Sequence, residues 1–185
     1  NKKNLKKISQ SLKEEQKKYS IYLSGGDTVY SKKLSFTITT VGFSNRIVLR
    51  NKAKINDDIY VTGNLGDSFV GLEILKNRIN LDKKLNDYFK EKYYLPDLKF
   101  SLTKKLLSFA NTSIDISDGL IADLDKLINK QNLSYKLYLN DIPISKNLKK
   151  LIDMKIIKKK SCFSKGDDYQ ILFTSSKSKS RIINK

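Results

Sequence analysis

Residues 114–123 read Ile-Asp-Ile-Ser-Asp-Gly-Leu-Ile-Ala-Asp, a pattern that joins a strand to a helix. The apolar residues before the first aspartate predict a strand that ends at Asp115. Gly119 breaks that strand, and apolar residues then recur at helical spacing to about Asn129. Asp115, Ser117 and Asp118 therefore fall on the turn between a strand and a helix. Loops held by a rigid scaffold in this way commonly carry function.

Two further acidic turns contain glycine and adjoin predicted strands, at residues 24–28 (Ser-Gly-Gly-Asp-Thr) and 166–168 (Gly-Asp-Asp). Glycine lets backbone N–H groups approach a phosphate, and a neighbouring Asp supplies the hard oxygen ligand that Mg²⁺ prefers. The three turns together predict a metal–nucleotide site. Each also has a structural interpretation: an Asx-type turn at Asp27, a helix cap at Asp118, and a solvated hairpin entry at Asp167.

Three other features are less specific candidates for functional sites. Arg50 is one of four arginines in a chain that otherwise uses lysine, so it suits either phosphate binding or a surface ion pair. Residues 63–67 (Gly-Asn-Leu-Gly-Asp) resemble a phosphate loop but lack its Lys-Ser/Thr ending, which favours a turn with Asp67 as helix cap. Cys162 lacks a His to activate it and is expected to be a small buried side chain.

The remaining pattern mixes helices and strands, which predicts an α/β or α+β fold. Apolar residues recur at helical spacing in five further segments, and alternating or β-branched runs indicate strands in six. The predicted helices cover 5–20, 68–77, 83–92, 97–109 and 147–154, and the predicted strands cover 21–23, 34–41, 47–49, 58–62, 135–139 and 169–174.

Composition limits the class of protein. The 185 residues carry 37 basic and 19 acidic side chains, a net charge of +18 that on its face suggests a polyanion partner. Most of these cations are lysines spread along the chain, which favours a solvated surface, and no nucleic-acid partner is expected. One cysteine and no histidine exclude an internal disulfide and His-based catalysis. The lack of a long apolar run predicts no membrane contact, and a cytoplasmic location is expected. The start at Asn1, without Met, indicates a piece of a longer protein.

Taken in order, four segments resemble the thiamine-monophosphate kinase family. That family shares a superfamily with aminoimidazole ribonucleotide synthetase and selenophosphate synthetase. The resemblance runs from about Ser11 to Ser175, and two shorter pieces, 94–96 and 139–143, also fit it. The four segments are 23–28, 59–67, 114–123 and 166–174.

This resemblance implies an enzyme that transfers the γ-phosphoryl group of ATP directly to thiamine monophosphate with the help of Mg²⁺. It implies no acid–base catalytic residue. An alternative is another ATP-using enzyme of the superfamily, and a second is a basic nucleic-acid-binding module. The implied metal ligands are Asp27, Asp115 and Asp118, the implied ATP-binding residues are Gly26, Arg50 and Ser117, and the implied substrate-binding residue is Asp167.

The resemblance also implies a domain organisation. Residues 1–50 would be the C-terminal part of an N-terminal α/β domain that binds ATP and metal and forms a homodimer. Residues 55–185 would be most of a C-terminal α+β domain of the aminoimidazole ribonucleotide synthetase-like type. The chain departs from the family at Tyr30, Ser31 and Lys32, where Arg-Ser-Pro is commoner, so the loop after Asp27 is expected to differ.

Overall fold

A computed structural model describes residues 2–183, so the outer ends of the two predicted domains, at residues 1 and 185, lie outside it. The chain divides into two compact units, one ending at Phe43 and the other beginning at Ser44. None of the helices in the described range combines the length and apolarity needed to cross a membrane.

In the first unit, residues 2–43 form one helix followed by a segment without helix or strand. Helix α1 spans Lys2–Tyr19, which confirms the predicted amphipathic helix. Residues 20–43 contain no strand, so the strands predicted at 21–23 and 34–41 are wrong. A strand is stable when it has a hydrogen-bonded neighbour, and within residues 2–43 the helix offers none. Leu34, Phe36 and Ile38 alternate as in a strand but remain exposed.

The second unit contains a three-stranded antiparallel sheet in the order β1-β3-β2. Its strands are β1 (Asp57–Val61), β2 (Thr112–Asp115) and β3 (Ile171–Ser176), in line with three of the predicted strands. Thr174 of β3 lies opposite Ile59 of β1 and Thr112 of β2, which fixes the register on both sides. β3, the last of these strands in the sequence, lies between the other two.

Each face of the sheet packs against a separate apolar cluster, because successive side chains of a strand point to opposite faces. Ile59, Val61 and Leu172 belong to the larger cluster, together with side chains from five of this unit's helices. Tyr60 and Phe173 belong to the smaller one, where their rings stack with centroids 5.2 Å apart. The helices are α2 (Asp67–Leu75), α3 (Lys83–Tyr94), α4 (Thr103–Phe109), α5 (Leu120–Leu127), α6 (Lys146–Asp153), α7 (Lys159–Phe163) and α8 (Ser180–Ile183).

Most of these helices match the predicted ones, with three differences. The helix predicted at 97–109 begins later, since a 3₁₀ turn at Phe100–Leu102 precedes α4. Helix α7 was not predicted from the sequence. Neither were the 3₁₀ turn at Lys177–Lys179 and helix α8, which follows that turn directly.

The strands predicted at 47–49 and 135–139 are also wrong. Both segments form hydrogen bonds that involve side chains in place of strand pairing. At 47–49, the carbonyl of Leu49 accepts a bond from the Thr112 hydroxyl at 2.7 Å. Residues 133–138 alternate between half-buried and exposed positions without pairing to a strand. The Tyr135 hydroxyl in that segment donates instead to the Asp125 carboxylate at 2.8 Å.

Candidate functional site

Three of the sequence segments singled out above meet at one place in the second unit. The backbone N–H of Asp167 donates to the Ser117 carbonyl at 3.0 Å, and that of Tyr169 donates to the Ile116 carbonyl at 2.8 Å. The backbone N–H of Gly66 donates to the Asp168 carboxylate oxygens at 3.1 and 2.9 Å. The turns at 63–67, 115–119 and 166–168 therefore form one connected structure, which we call the three-turn junction.

Glycine is required where the second and third turns cross. A Cβ atom on Gly166 would lie 1.8 Å from the Ser117 carbonyl oxygen, well inside any allowed contact. A Cβ on Gly119 would meet the backbone of Lys165 at 3.0 Å, and Gly119 has a φ of 118°, which L side chains rarely adopt. These two glycines thus bring the acidic turns into backbone contact.

A buried carboxylate holds the turn at 117–119. Asp123, on the first turn of α5, is fully buried, and its Oδ2 accepts the backbone N–H groups of Ser117, Asp118 and Gly119 at 2.9, 2.8 and 3.1 Å. Burial alone would raise the pKa of Asp123, but its hydrogen bonds with Lys126 and with the Asp118 and Gly119 amides outweigh that effect and lower it. Asp123 is therefore ionised near neutral pH.

Two of the three aspartates predicted as metal ligands, Asp115 and Asp118, lie on the same turn. Asp115 ends β2 and is exposed, and Asp118, also exposed, pairs with the ammonium group of Lys126. Ser117 between them is half-buried. Within residues 2–183, no three His, Cys, Asp or Glu side chains are grouped closely enough to hold a metal ion. The donor chemistry still fits a hard divalent cation, since both side chains are accessible carboxylates.

The predicted substrate residue, Asp167, is half-buried at the crossing of the turns. Its φ of 69° places it in the left-handed region, which Asp tolerates better than most residues. The backbone N–H of Asp167 donates to the Ser117 carbonyl, and this hydrogen bond fixes the position of Asp167 on the turn.

Its neighbour Asp168 has a different environment, which sequence reasoning missed. It is buried at the N-terminus of α2, where burial raises the pKa of its carboxyl to about 7. Asp67 is also buried, and its carboxylate accepts the hydroxyls of Tyr88 and Ser145 at 2.8 and 2.7 Å. Asp67 was predicted to cap α2, but Gly66 occupies the N-cap position and Asp168 supplies the acceptor. Because the sequence offers Asp67 as a cap for this helix, it carries no signal for the role of Asp168.

Cys162 lies close to the two buried carboxylates and is itself buried, as predicted. Burial raises the pKa of its thiol to about 12, and the charges of Asp168 and Asp67 act in the same direction. The thiol therefore stays protonated and unreactive.

The other predicted nucleotide residues are not part of the junction's hydrogen bonding. Arg50 is exposed and is followed by Asn51, whose backbone N–H donates to the Leu127 carbonyl at 2.9 Å. Gly26 and Asp27 belong to the first unit, where both are exposed and lie outside any helix or strand. The Asp27 carboxylate accepts the backbone N–H of the next residue, Thr28, at 2.7 Å, whereas an Asx-type turn would use the N–H two residues on.

Comparison with curated proteins gives clear relatives. The chain is 39% identical over 176 residues to a thiamine-monophosphate kinase of Buchnera aphidicola, with 94% of this chain and 54% of that protein covered. It is 37% identical over 171 residues to one of Haemophilus influenzae, covering 90% of this chain and 51% of that protein. The chain thus spans about half the length of the curated relatives it matches. No family model matches the sequence.

Solved structures give the same result. The thiamine-monophosphate kinase from Stenotrophomonas maltophilia superposes with a TM-score of 0.66 at 26% identity, over 74% of this chain and 45% of that one. AaThiL complexed with AMPPCP and TMP superposes with a TM-score of 0.65 at 30% identity, over 72% of this chain and 43% of that one.

These matches confirm that the chain has the aminoimidazole ribonucleotide synthetase-like fold, with the predicted mixture of α and β structure. Within that class, it is a relative of the thiamine-monophosphate kinases over nearly its whole length, which confirms the resemblance carried by its motifs.

Proposed function

We propose that this chain is part of a kinase that transfers the γ-phosphoryl group of ATP to thiamine monophosphate, giving thiamine diphosphate. The observation that carries the proposal is the three-turn junction, in which the Asp167 amide is bonded to Ser117 at 3.0 Å. This contact brings the turn assigned to metal and nucleotide next to the turn assigned to the acceptor. Phosphoryl transfer depends mostly on positioning and charge neutralisation, which such a junction suits.

Asp115 and Asp118 would hold Mg²⁺, because they offer accessible carboxylate oxygens from one turn. Asp27 would be a metal ligand of the first unit. When bound, Mg²⁺ neutralises charge on the transferred phosphoryl group. Lys126 pairs with Asp118 in this structure, so the carboxylate is already held near a cation.

Gly26, Arg50 and Ser117 would bind the nucleotide. The Arg50 guanidinium can make paired hydrogen bonds to a phosphate, and a hydroxyl at 117 can donate to one. Asp167 would face the acceptor, whose cationic thiazolium and aminopyrimidine suit a carboxylate. Residues 1–50 would end an ATP- and metal-binding domain that pairs in a homodimer, and residues 55–185 would form the synthetase-like domain. The enzyme would act in the cytoplasm.

The test is an assay of thiamine diphosphate formation by the whole protein, with Asp115→Asn and Asp118→Asn as variants. The amide keeps the size of the side chain but loses the charge that Mg²⁺ requires. We expect kcat to fall at least about a hundredfold in each variant. Asp153→Asn is the matched control, since that exposed carboxylate lies on α6 and pairs with Lys149 at 3.3 Å. Near-wild-type rates for both turn variants across a Mg²⁺ titration would reject the metal assignment.

A separate arm tests the acceptor. Asp167→Ala should raise KM for thiamine monophosphate about ten- to a hundredfold, as loss of a charge-assisted hydrogen bond does, and leave KM for ATP nearly unchanged. An equal rise in both constants would indicate a metal or structural role. Transfer to a different phosphate acceptor, with none to thiamine monophosphate, would favour another enzyme of the superfamily.

The net charge of +18 is the observation that favours the nucleic-acid alternative. Filter binding across a salt series decides it, because binding through phosphate contacts weakens steeply as salt rises. We expect weak, sequence-blind binding that disappears near physiological salt.

A further inference from the structure

Asp123 has no part in the roles proposed above, yet its side chain is hydrogen-bonded to the backbone of the 117–119 turn. Its carboxylate is fully buried on the first turn of α5. One of its oxygens, Oδ2, accepts three successive backbone N–H groups at distances between 2.8 and 3.1 Å. These N–H groups belong to Ser117, Asp118 and Gly119, so a single atom fixes the backbone beneath two proposed ligand residues.

The second oxygen of the carboxylate connects this support to the exposed side of the turn. Oδ1 accepts a hydrogen bond from the Lys126 ammonium at 2.8 Å, and the same ammonium pairs with Asp118. Lys126 therefore links the buried carboxylate to the accessible one. The position of Asp118 is tied to Asp123 both through the backbone and through this cation.

We propose that Asp123 is a positioning residue that sets the geometry of the Ser117–Asp118 turn for phosphoryl transfer, with Lys126 as its counter-charge. The inference rests on the proposed function for the reaction, but the support of the turn by Asp123 is a claim about this chain alone. It adds to the site a residue that touches neither nucleotide nor acceptor.

An ionised carboxylate suits this place better than its amide. In Asp123→Asn, one side of the new amide presents an NH₂ group. If that group faces the turn, it meets three N–H donors, and if it faces outward, it meets the Lys126 ammonium. Either orientation sets donors against donors. The first removes the acceptor from the turn, and the second leaves only a neutral carbonyl oxygen there while the amide opposes Lys126.

The experiment compares Asp123→Asn with Asp125→Asn in the whole protein. Asp125 lies on the same helix and loses the same charge, but it is exposed and bonds to Tyr135, away from the turn. Two readouts are taken: amide hydrogen exchange at residues 117–119, and kcat and KM for thiamine diphosphate formation. Exchange needs no substrate, metal or activity, so it tests the support of the turn even if the proposed reaction is not found.

In Asp123→Asn, we expect exchange at residues 117–119 to speed up about tenfold or more, with little change in β3. We expect kcat to fall about ten- to a hundredfold, as for other supporting residues, with KM for thiamine monophosphate within about twofold. Asp125→Asn should match the wild type in both readouts. Unchanged exchange at the turn, or a kcat no lower than that of the control, would overturn the proposal.

A second variant, Asp123→Glu, decides the case if Asp123→Asn does not fold. It keeps the charge and the pairing with Lys126 but moves the carboxylate by one methylene. A folded Asp123→Glu protein with kcat lowered at least about tenfold supports a positioning role. Wild-type kcat in that folded variant, or failure of both variants to fold, would overturn it in favour of a purely structural role.

Discussion

Asp167 and Asp168 are consecutive residues of like charge with opposite surroundings. Asp167 is half-buried at the crossing of two acidic turns, whereas Asp168 is buried and bonded to the backbone at the start of α2. The sequence Gly-Asp-Asp gives no basis for choosing between them. The difference comes from the tertiary structure, which places the Asp168 carboxylate against the Gly66 backbone N–H at the start of α2.

The burial of Asp168 should make stability depend on pH. The ordinary pKa of an aspartate is 3.8, and that of Asp168 in the folded chain is raised to about 7, first by burial and also by the charge of Asp67. The folded state therefore keeps a proton that the unfolded chain has released. The contribution of the Asp168 carboxyl to the free energy of unfolding is therefore fully present below about pH 4 and is lost as the pH rises through about 7.

The Asp168→Asn variant has no ionisable group at this position, so it should not lose this stability as the pH rises. We expect the free energy of unfolding of the variant, minus that of the wild type, to increase between about pH 4.5 and about pH 8 in urea titrations. Asp67, whose pKa burial also raises, is present in both proteins. Its charge repels that of Asp168, so the variant also relieves this repulsion at high pH, which acts in the same direction. Asp153→Asn, at an exposed site, should show no such trend. A constant difference at Asp168 would mean that the carboxylate is ionised in the folded state without cost.

At the scale of elements, the three-turn junction depends on backbone packing as much as on charge. Gly66 is the N-cap of α2, where a φ of 90° and a Cβ position only 2.5 Å from the Cys162 Cβ atom require glycine. The helix α5 begins just after Gly119, and its own Asp123 closes back on the turn. Each helix start is thus satisfied by a carboxylate, one from a distant segment and one from its own first turn.

Gly166→Ala should separate the two acidic turns. The new Cβ would lie 1.8 Å from the Ser117 carbonyl oxygen and 2.8 Å from the Asp118 Cα, both backbone atoms that cannot rotate away. We expect a loss of about 1–3 kcal/mol in the free energy of unfolding, as for other overpacked sites, measured by urea titration. Gly42→Ala is the control, since a Cβ there meets nothing within 4 Å. Equal stability of the two variants would mean that the turns are not in contact.

At the scale of the whole molecule, the sequence predicted the sheet strands and most helices of the second unit, because their apolar periodicity agrees with how they are buried. The strand predictions were wrong where an alternating segment has no neighbouring strand. Leu34, Phe36 and Ile38 alternate as in a strand, but within residues 2–43 there is no second strand to pair with. The connections of Asp168 to Gly66 and of Asp167 to Ser117 also could not be predicted, since they join residues far apart in the sequence.

The division into two units leads to a prediction about folding. Among the described residues, both apolar clusters consist of residues from Val48 onward. The buried carboxylates Asp67, Asp123 and Asp168 also belong to the second unit. In residues 2–43, by contrast, the apolar side chains from Tyr22 to Phe43 are largely exposed. The hydrophobic driving force for folding is therefore concentrated in the second unit.

A protein of residues 44–185 alone should fold. We expect a cooperative urea transition whose free energy of unfolding lies within about 1 kcal/mol of that of the main transition of the 185-residue chain, because the removed residues contribute no core side chain. Exchange at the amides of residues 117–119 should stay as slow as in the longer chain, since Asp123 and its three bonds are retained. Formation of thiamine diphosphate should be absent, because Gly26 and Asp27, the proposed nucleotide and metal residues, are gone. A broad, non-cooperative transition would show instead that residues 2–43 supply packing that the second unit needs.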